Sequence, residues 1–333
     1  MKLGSLFSGL FGKKPKSCLG IDLGASSIKI AEISRNKEGL FLENYAIARL
    51  KENSRTNLTE LGAGEIATIL RHMIERAGIK TRRAVISLPV EETFSTVIDL
   101  PVMSEKELSQ TIPFEARKYV PIPIEEVVLD WSVTAETVHS SVAIDSSAQK
   151  SSDPNLKESP AAREKKTLHI LIVAVPREMI KKIAQIAGAA GLQVSALEQE
   201  AFGMTRSLIQ KADDICMLVD LGTESVDAIV IEKGAIRLTH TFRESNPENM
   251  AFDIPKVLGI FEAKYSKKIK KIIFTGGRTI GAEWMSNLSA KLDKEIIQGN
   301  SFVNLKFDAK LVNAVKELSP YMAVAIGGAM RDI

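Results

Sequence analysis

Apolar and polar positions change period several times along the chain, and each change marks an element. From Cys18 the runs CLGIDLG, SIKIAEISR and LFLENYAIARL predict three strands joined by tight turns. GEIATILRHMIERAGIK follows as a helix whose apolar stripe is Ile66, Ile69, Leu70, Met73 and Ile74, with Gly78 where a left-handed cap is expected. RRAVISLP is a further strand closed by Pro89. Residues 93–197 read as a separate α+β unit. In it FSTVIDL is a strand, Ser104 and Glu107 start a helix with a capping box, and Pro113 is expected to kink or interrupt that helix. VVLDWSV, TLHILIVAVP and LQVSALE are strands, and REMIKKIAQIAGAAG is a helix. The stretch 136–166 is rich in Ser, Ala, Lys and Pro without any period, as a flexible loop inside that unit is.

The second half begins as the first did. ICMLVDLG is a strand, SVDAIVIEKGAIRLTHTF a hairpin turning at Lys233-Gly234, and KKIIFTGG a strand about thirty residues on. Residues 291–306 predict a weak strand with a turn near Gly299, and YMAVAIGGAMRDI a small-residue helix suited to close packing. CLGIDLGASS at 18–27 and CMLVDLGTES at 216–225 stand 198 positions apart with five identities in register, so the fold reads as internally duplicated.

Composition narrows the class. Hydrophobic residues make up 45% and charged residues 26%, with a net charge of +3, the balance of a globular chain without the basic surface that nucleic acid requires. Two cysteines cannot build a disulfide framework, and both lie in apolar strands, which suits a reducing cytoplasm. No run approaches the ~18–20 apolar residues of a membrane span. At the N-terminus Leu3, Leu6, Phe7, Leu10 and Phe11 recur at helical spacing ahead of Lys13, Lys14 and Lys16. Two readings stand: a frayed tail weakened by Gly4, Gly9 and Gly12, or a segment contacting an anionic membrane or a partner.

An apolar strand ending in Asp-x-Gly delivers a carboxylate to a sheet edge, and the glycine lets the backbone turn there. The residues after each glycine, Ala25-Ser26-Ser27 and Thr223-Glu224-Ser225, offer N–H groups and hydroxyls to an anion. Two such hairpins facing each other clamp a phosphate chain, with Asp22 and Asp220 holding Mg²⁺ through its waters and Lys29 adding charge. KKIIFTGGRTI supplies Gly276 and Gly277, which permit the close backbone approach of a ribose and purine, followed by Arg278. HExxH, paired CxxC, G-x-S-x-G and Walker A patterns are absent, which leaves metalloprotease, zinc, serine-hydrolase and P-loop readings without support.

GIDLGASSIKI, VDLGTES and FTGGRTI resemble, in order, the two phosphate motifs and the adenosine motif of the actin-like ATPase superfamily. FEARKYVPIPIEEVVLDW at 114–131, with ALEQEAFGM at 196–204 and SPYMAVAIGGAMRD at 319–332, resembles the PilM family of type IV pilus assembly proteins. The resemblance implies an α/β, actin-like (ribonuclease H-like) fold of two duplicated lobes with an inserted α+β subdomain and a reduced second outer subdomain. The parts are a tail at 1–16, a first lobe at 17–92, an insertion at 93–197 arranged as in FtsA, a second lobe at 198–318 and a closing helix at 319–333. It implies ATP and Mg²⁺ in the interlobe cleft, bound by Asp22, Gly24, Ala25, Ser26, Ser27, Lys29, Asp220, Gly222, Thr223, Glu224, Ser225, Gly276, Gly277 and Arg278. Gln199 best matches the place of a water-positioning residue. The segment 243–271 has room for about one helix where the family usually carries a longer helical stretch framing the adenine, so the outer part of the second lobe is small or rebuilt and the adenine side departs from the family pattern. The implied partner is the cytoplasmic tail of a PilN-like inner-membrane protein, in a groove beside the insertion near Phe114, Glu115, Tyr119, Pro121, Ile122 and Pro123; Phe114 and Tyr119 equally suit the subdomain core. A cytoplasmic scaffold peripheral to the inner membrane of a pilus or type II secretion machine, self-associating as a ring or filament, is the resulting expectation. The alternatives are an ATPase or small-molecule kinase of the same fold, and an FtsA-like division filament.

Overall fold

A computed structural model describes residues 16–49, 60–139, 165–210, 215–243, 247–278 and 282–333. The apolar N-terminal stripe, most of the loop at 136–166 and Thr279 lie outside the described residues. The first sheet joins β1 (Ser17–Leu23), β2 (Ser27–Asn36), β3 (Gly39–Arg49), β4 (Arg83–Leu88) and β8 (Gln193–Gln199) in the order β3-β2-β1-β4-β8. Its first three strands are antiparallel, and β4 and β8 run parallel to β1. The second sheet repeats this plan with β9 (Ile215–Leu221), β10 (Ser225–Glu232), β11 (Ala235–Arg243), β12 (Lys271–Gly276) and β13 (Glu295–Gln298), in the order β11-β10-β9-β12-β13. Again three strands are antiparallel and two are parallel. The duplication expected from the repeated Asp-Leu-Gly thus extends to the pairing of every strand.

Helices cover both sheets. α1 (Ala63–Arg76) and α3 (Arg177–Ala189) pack Leu70, Ile74, Ile183 and Ile186 on Leu19, Ile21 and Ile86 of the first sheet. Each such side chain contributes about 1.5–3 kcal/mol by leaving water. Gly78 sits at φ +66 after α1, its N–H donating to Glu75 and that of Ile79 to Ile74, so the helix ends in a Schellman turn. Among the described residues α5 (Pro247–Tyr265) is the one helix between β11 and β12, and with α6 (Ala282–Leu292) it covers the second sheet through Met250, Ile254, Val257, Phe261 and Leu288. Lys233 and Gly234 both have positive φ, at 53° and 74°, the backbone of a two-residue hairpin turn.

Between the two sheets lie α4 (Glu200–Leu208) and α8 (Ala323–Met330), with α7 (Val312–Leu318) leading into α8. α8 packs Ala325, Ile326 and Ala329 on Cys18, Val85 and Ala196 of the first sheet, while Ala323 and Val324 meet Leu218 and Ile229 of the second. Small residues make this crossing. A Cβ on Gly20 would lie 1.8 Å from the carbonyl oxygen of Ala325, and one on Gly327 1.8 Å from that of Gly203.

A third sheet, β5-β7-β6, is built from β5 (Phe94–Pro101), β6 (Val127–His139) and β7 (Lys165–Pro176), and α2 (Glu105–Ala116) covers it. Ser104 and Glu107 form the expected capping box. α2 runs through Pro113 without interruption; the proline falls in its last turn, with Ile112 and Ala116 buried on either side. The sequence placed α3 and β8 in the inserted unit. β8 instead hydrogen-bonds to β4, and α3 packs beside α1, so the three-stranded body ends at 176 and the chain returns to the first sheet.

Candidate functional site

The two strand ends meet where β1 and β9 point into one cleft. It is lined by Asp22, Gly24, Ala25, Ser26, Ser27 and Lys29 from the first hairpin, and by Asp220, Gly222, Thr223, Glu224 and Ser225 from the second. Gly276 and Gly277 close one side. Ser26 Oγ and Thr223 Oγ1 lie 2.6 Å apart and share a hydrogen bond, so the hairpin tips touch across the cleft. Both glycines of the repeat sit in tight turns: a Cβ on Gly24 would stand 3.2 Å from the Ser27 carbonyl oxygen, and one on Gly222 3.0 Å from that of Ser225. Gly276, at φ +104, would drive a Cβ to 2.5 Å from Asp220 Oδ1 and the Leu221 nitrogen.

The hairpins differ in charge. Lys29 stands opposite Asp22 on β2 and donates to its Oδ2 at 2.8 Å. Burial opposes the charge on Lys29, but Asp22, with Asp220 and Glu200 beyond it, more than restores it and holds its pKa above the usual lysine value. On the second hairpin the same place is taken by Asp227, opposite Asp220 and hydrogen-bonded by the Thr241 hydroxyl. Burial, reinforced by Asp227, pushes the Asp220 carboxyl up to about 7, and burial raises Asp227 to about 6. Glu200, on the first turn of α4, completes a group in which carboxylate oxygens of Glu200, Asp220 and Asp227 all lie within 4.8 Å of one another. Burial and the neighbouring carboxylates push Glu200 well above the usual range.

These residues fit a phosphate chain and a hydrated divalent cation. Turning backbone at two glycines faces the cleft, one lysine accompanies it, and the donor set is made of hard oxygens. Arg278 lies outside the phosphate cleft. Its N–H donates to Leu221, and the side chain lines an adjoining pocket with Phe274, Met285, Gln298 and Tyr321.

Gln199 does not face the cleft. It is 2% exposed and its Nε2 donates to Thr93 Oγ1 at 2.7 Å, while its Oε1 has no hydrogen-bond partner. The carboxylate that enters the cleft comes from the next residue, Glu200, because the step from β8 to α4 falls between them. Gln199 lines a separate open groove between the inserted sheet and the first lobe. Asp130, Trp131 and Ser132 of β6 form one wall, Leu197 and Glu198 of β8 another, and Phe202, Arg206 and Arg331 the base. Glu198 accepts two hydrogen bonds from Arg206 at 2.9 Å and one from Arg331 at 3.1 Å.

Phe114 and Tyr119 are not core residues; they are 67% and 46% exposed. Ile122, Pro121 and Pro123 are exposed beside them, and Glu115 pairs with Lys118 at 2.8 Å. α2 buries Leu108, Ile112 and Ala116 at four-residue intervals, which turns Phe114 outward, where the Arg117 guanidinium stacks 5.6 Å from its ring centroid. Sequence reasoning missed Glu200, Asp227 and the groove residues Trp131, Arg206 and Arg331. The repeat offset carries Lys29 onto Asp227, a signal that was present.

The family model of the type IV pilus assembly protein PilM matches residues 20–148. A solved structure of a PilM–PilN type IV pilus biogenesis complex is similar over 96% of this chain and 99% of that one, at 18% identity and a TM-score of 0.76. The ethanolamine utilization protein EutJ from Carboxydothermus hydrogenoformans is similar over 96% and 92%, at 13% identity and a TM-score of 0.51. The chain has the actin-like fold, and over residues 20–148 it matches the PilM family of type IV pilus assembly proteins.

Proposed function

We propose that this chain is a cytoplasmic scaffold of a type IV pilus assembly platform, peripheral to the inner membrane, which binds the extended cytoplasmic tail of a PilN-like protein. The groove between the inserted sheet and the first lobe carries this reading. β6 and β8, whose residues form its walls, each pair on one side only among the described strands. An extended peptide between them finds backbone partners along both strand edges and an apolar wall in Trp131 and Phe202. The exposed Phe114, Tyr119, Pro121, Ile122 and Pro123 offer a further apolar contact on the same inserted unit. ATP with Mg²⁺ in the interlobe cleft acts as a structural or conformational ligand, with Lys29 and the backbone of both hairpins toward the phosphates and Asp22, Glu200, Asp220 and Asp227 toward the cation.

A synthetic PilN-type tail peptide titrated into the full chain tests the reading. At one hundred times its Kd a ligand adds about 2.7 kcal/mol of stability, which a thermal melt resolves. No change in melting temperature at saturating peptide overturns it. Glu200 supports a second reading, slow ATP turnover, because its carboxylate lies among the cation-holding oxygens. Phosphate release well below ~1 per second and abolished by Glu200→Gln fits that reading.

A further inference from the structure

We infer that the outward face of α5, the helix covering the second sheet, lies on an anionic lipid surface. Its inner face is filled by Met250, Ile254, Val257 and Phe261. The opposite face carries Phe252, 66% exposed, and Ile260, 49% exposed, with exposed Pro255, Gly259 and Ala263 between and beyond them. At 3.6 residues per turn these positions fall on one stripe along three turns, about 16 Å long. Lysines border the stripe. Lys256 lies within it, Lys264 flanks it, and Lys291 of α6 places its Nζ 4.6 Å from the Phe252 ring centroid. Past the helix end, Lys268, Lys270 and Lys271 continue the positive charge; Lys267 is paired with Glu232 and Lys256 with Asp253, so the charge bordering the strip comes from Lys264, Lys268, Lys270, Lys271 and Lys291.

That charge selects the occupant. A convex helix bordering none of the cavities described above offers a peptide no groove, and its lysines are spread along both sides of an apolar strip. This is the pattern of a helix lying in a membrane interface, where the rings and aliphatic chains enter the headgroup boundary and the lysines remain with anionic headgroups. Each lysine near such a surface contributes in proportion to its charge and is screened by salt. The contact is independent of the groove beside the inserted sheet, which lies in another part of the fold.

Flotation of the full chain with phosphatidylglycerol–phosphatidylcholine vesicles, against phosphatidylcholine alone, tests the inference. Expected are binding to the anionic vesicles only and a loss of at least fivefold in 0.5 M salt. The variants Phe252→Ser/Ile260→Ser and Lys264→Glu/Lys268→Glu are each expected to lose at least fivefold in bound fraction. All four positions are exposed, and an unchanged melting temperature and tail-peptide affinity establish that the variants are folded. Absence of binding, equal binding to neutral vesicles, or binding removed by Phe7→Ser/Phe11→Ser but untouched by the α5 variants overturns the inference. So does a dimer in solution that Phe252→Ser dissolves, since the face then belongs to a second copy, or capture of an acidic protein in place of lipid.

Discussion

Lys29 and Asp227 occupy the same place in the two repeats, each opposite the aspartate of its own hairpin. Lys29 neutralises Asp22, whereas Asp227 doubles the negative charge around Asp220. A divalent cation is therefore drawn to the second hairpin and to Glu200 rather than midway between Asp22 and Asp220. Asp227→Asn and Glu200→Gln are expected to raise the Mg²⁺ concentration needed for nucleotide binding by about tenfold, equivalent to about 1.4 kcal/mol. Asp22→Asn is expected to shift it by less than about threefold. Calorimetric titrations of nucleotide across a Mg²⁺ series measure this, and equal shifts in all three variants refute it.

The same cluster fixes how stability depends on pH. Asp220 titrates near 3.8 when unfolded and at about 7 in the folded chain, so its folded pKa is raised. Between those values the native state binds more protons than the unfolded state, and stability falls as pH rises. This is opposite to the behaviour of an ordinary salt-bridged carboxylate. Asp220→Asn removes the charge and is expected to melt about 2 °C or more above wild type at pH 8, with the gap closing toward pH 4. A gap independent of pH, in melts without nucleotide or Mg²⁺, contradicts the assignment.

Much of this architecture was legible because the chain says it twice. The two DLG strands, their hairpins and the third strand before Gly276-Gly277 follow from period and spacing. The location of the cleft carboxylate did not. Gln199 and Glu200 are adjacent, and the chain passes from strand to helix between them, so one buries an amide and the other enters the cleft. The bounds of the inserted unit were hidden for a related reason. β8 reads as an ordinary strand, and only its long-range pairing with β4 returns it to the first sheet. The outward aim of Phe114 was available from the four-residue burial rhythm of α2, which its aromatic character obscured.

The hydrogen bond between the Ser26 and Thr223 hydroxyls joins the hairpin tips, and a nucleotide entering between the tips is expected to break it. An exposed neutral hydrogen bond is worth about 0.5–1.5 kcal/mol. Thr223→Val is therefore expected to speed association of a fluorescent ATP analogue by roughly twofold to tenfold. The melting temperature should change little. Stopped-flow association rates identical to wild type exclude a latch.

Phe114→Ala and Tyr119→Ala remove exposed side chains, so each is expected to alter stability by no more than about 0.5 kcal/mol. If the Phe114–Pro123 run helps hold a tail, either variant weakens peptide binding by about 1 kcal/mol or more, as interface aromatics do. Arg206→Ala acts differently. It strips a bidentate partner from the buried Glu198 and lowers both stability and peptide affinity. Paired melts and titrations separate the two cases. Unaltered affinity in both aromatic variants removes this run from the interface.

Glycines in the junction and at the cap of α1 call for losses of different size from the same substitution. Gly78→Ala meets nothing within 4 Å, so its cost is that of φ +66 alone, about 1–2 kcal/mol. Gly327→Ala places its methyl 1.8 Å from the backbone oxygen of Gly203, at the crossing of α8 and α4. Backbone cannot rotate away as a side chain does, so the helices must separate and loosen the packing shared by both sheets. A loss of about 3 kcal/mol or more is expected, at or beyond the upper end of ordinary overpacking. It should be accompanied by weaker nucleotide binding, since α4 carries Glu200 into the cleft. Chemical denaturation of both variants decides the point: comparable losses from Gly78→Ala and Gly327→Ala would mean that the α4–α8 crossing is looser than 1.8 Å requires.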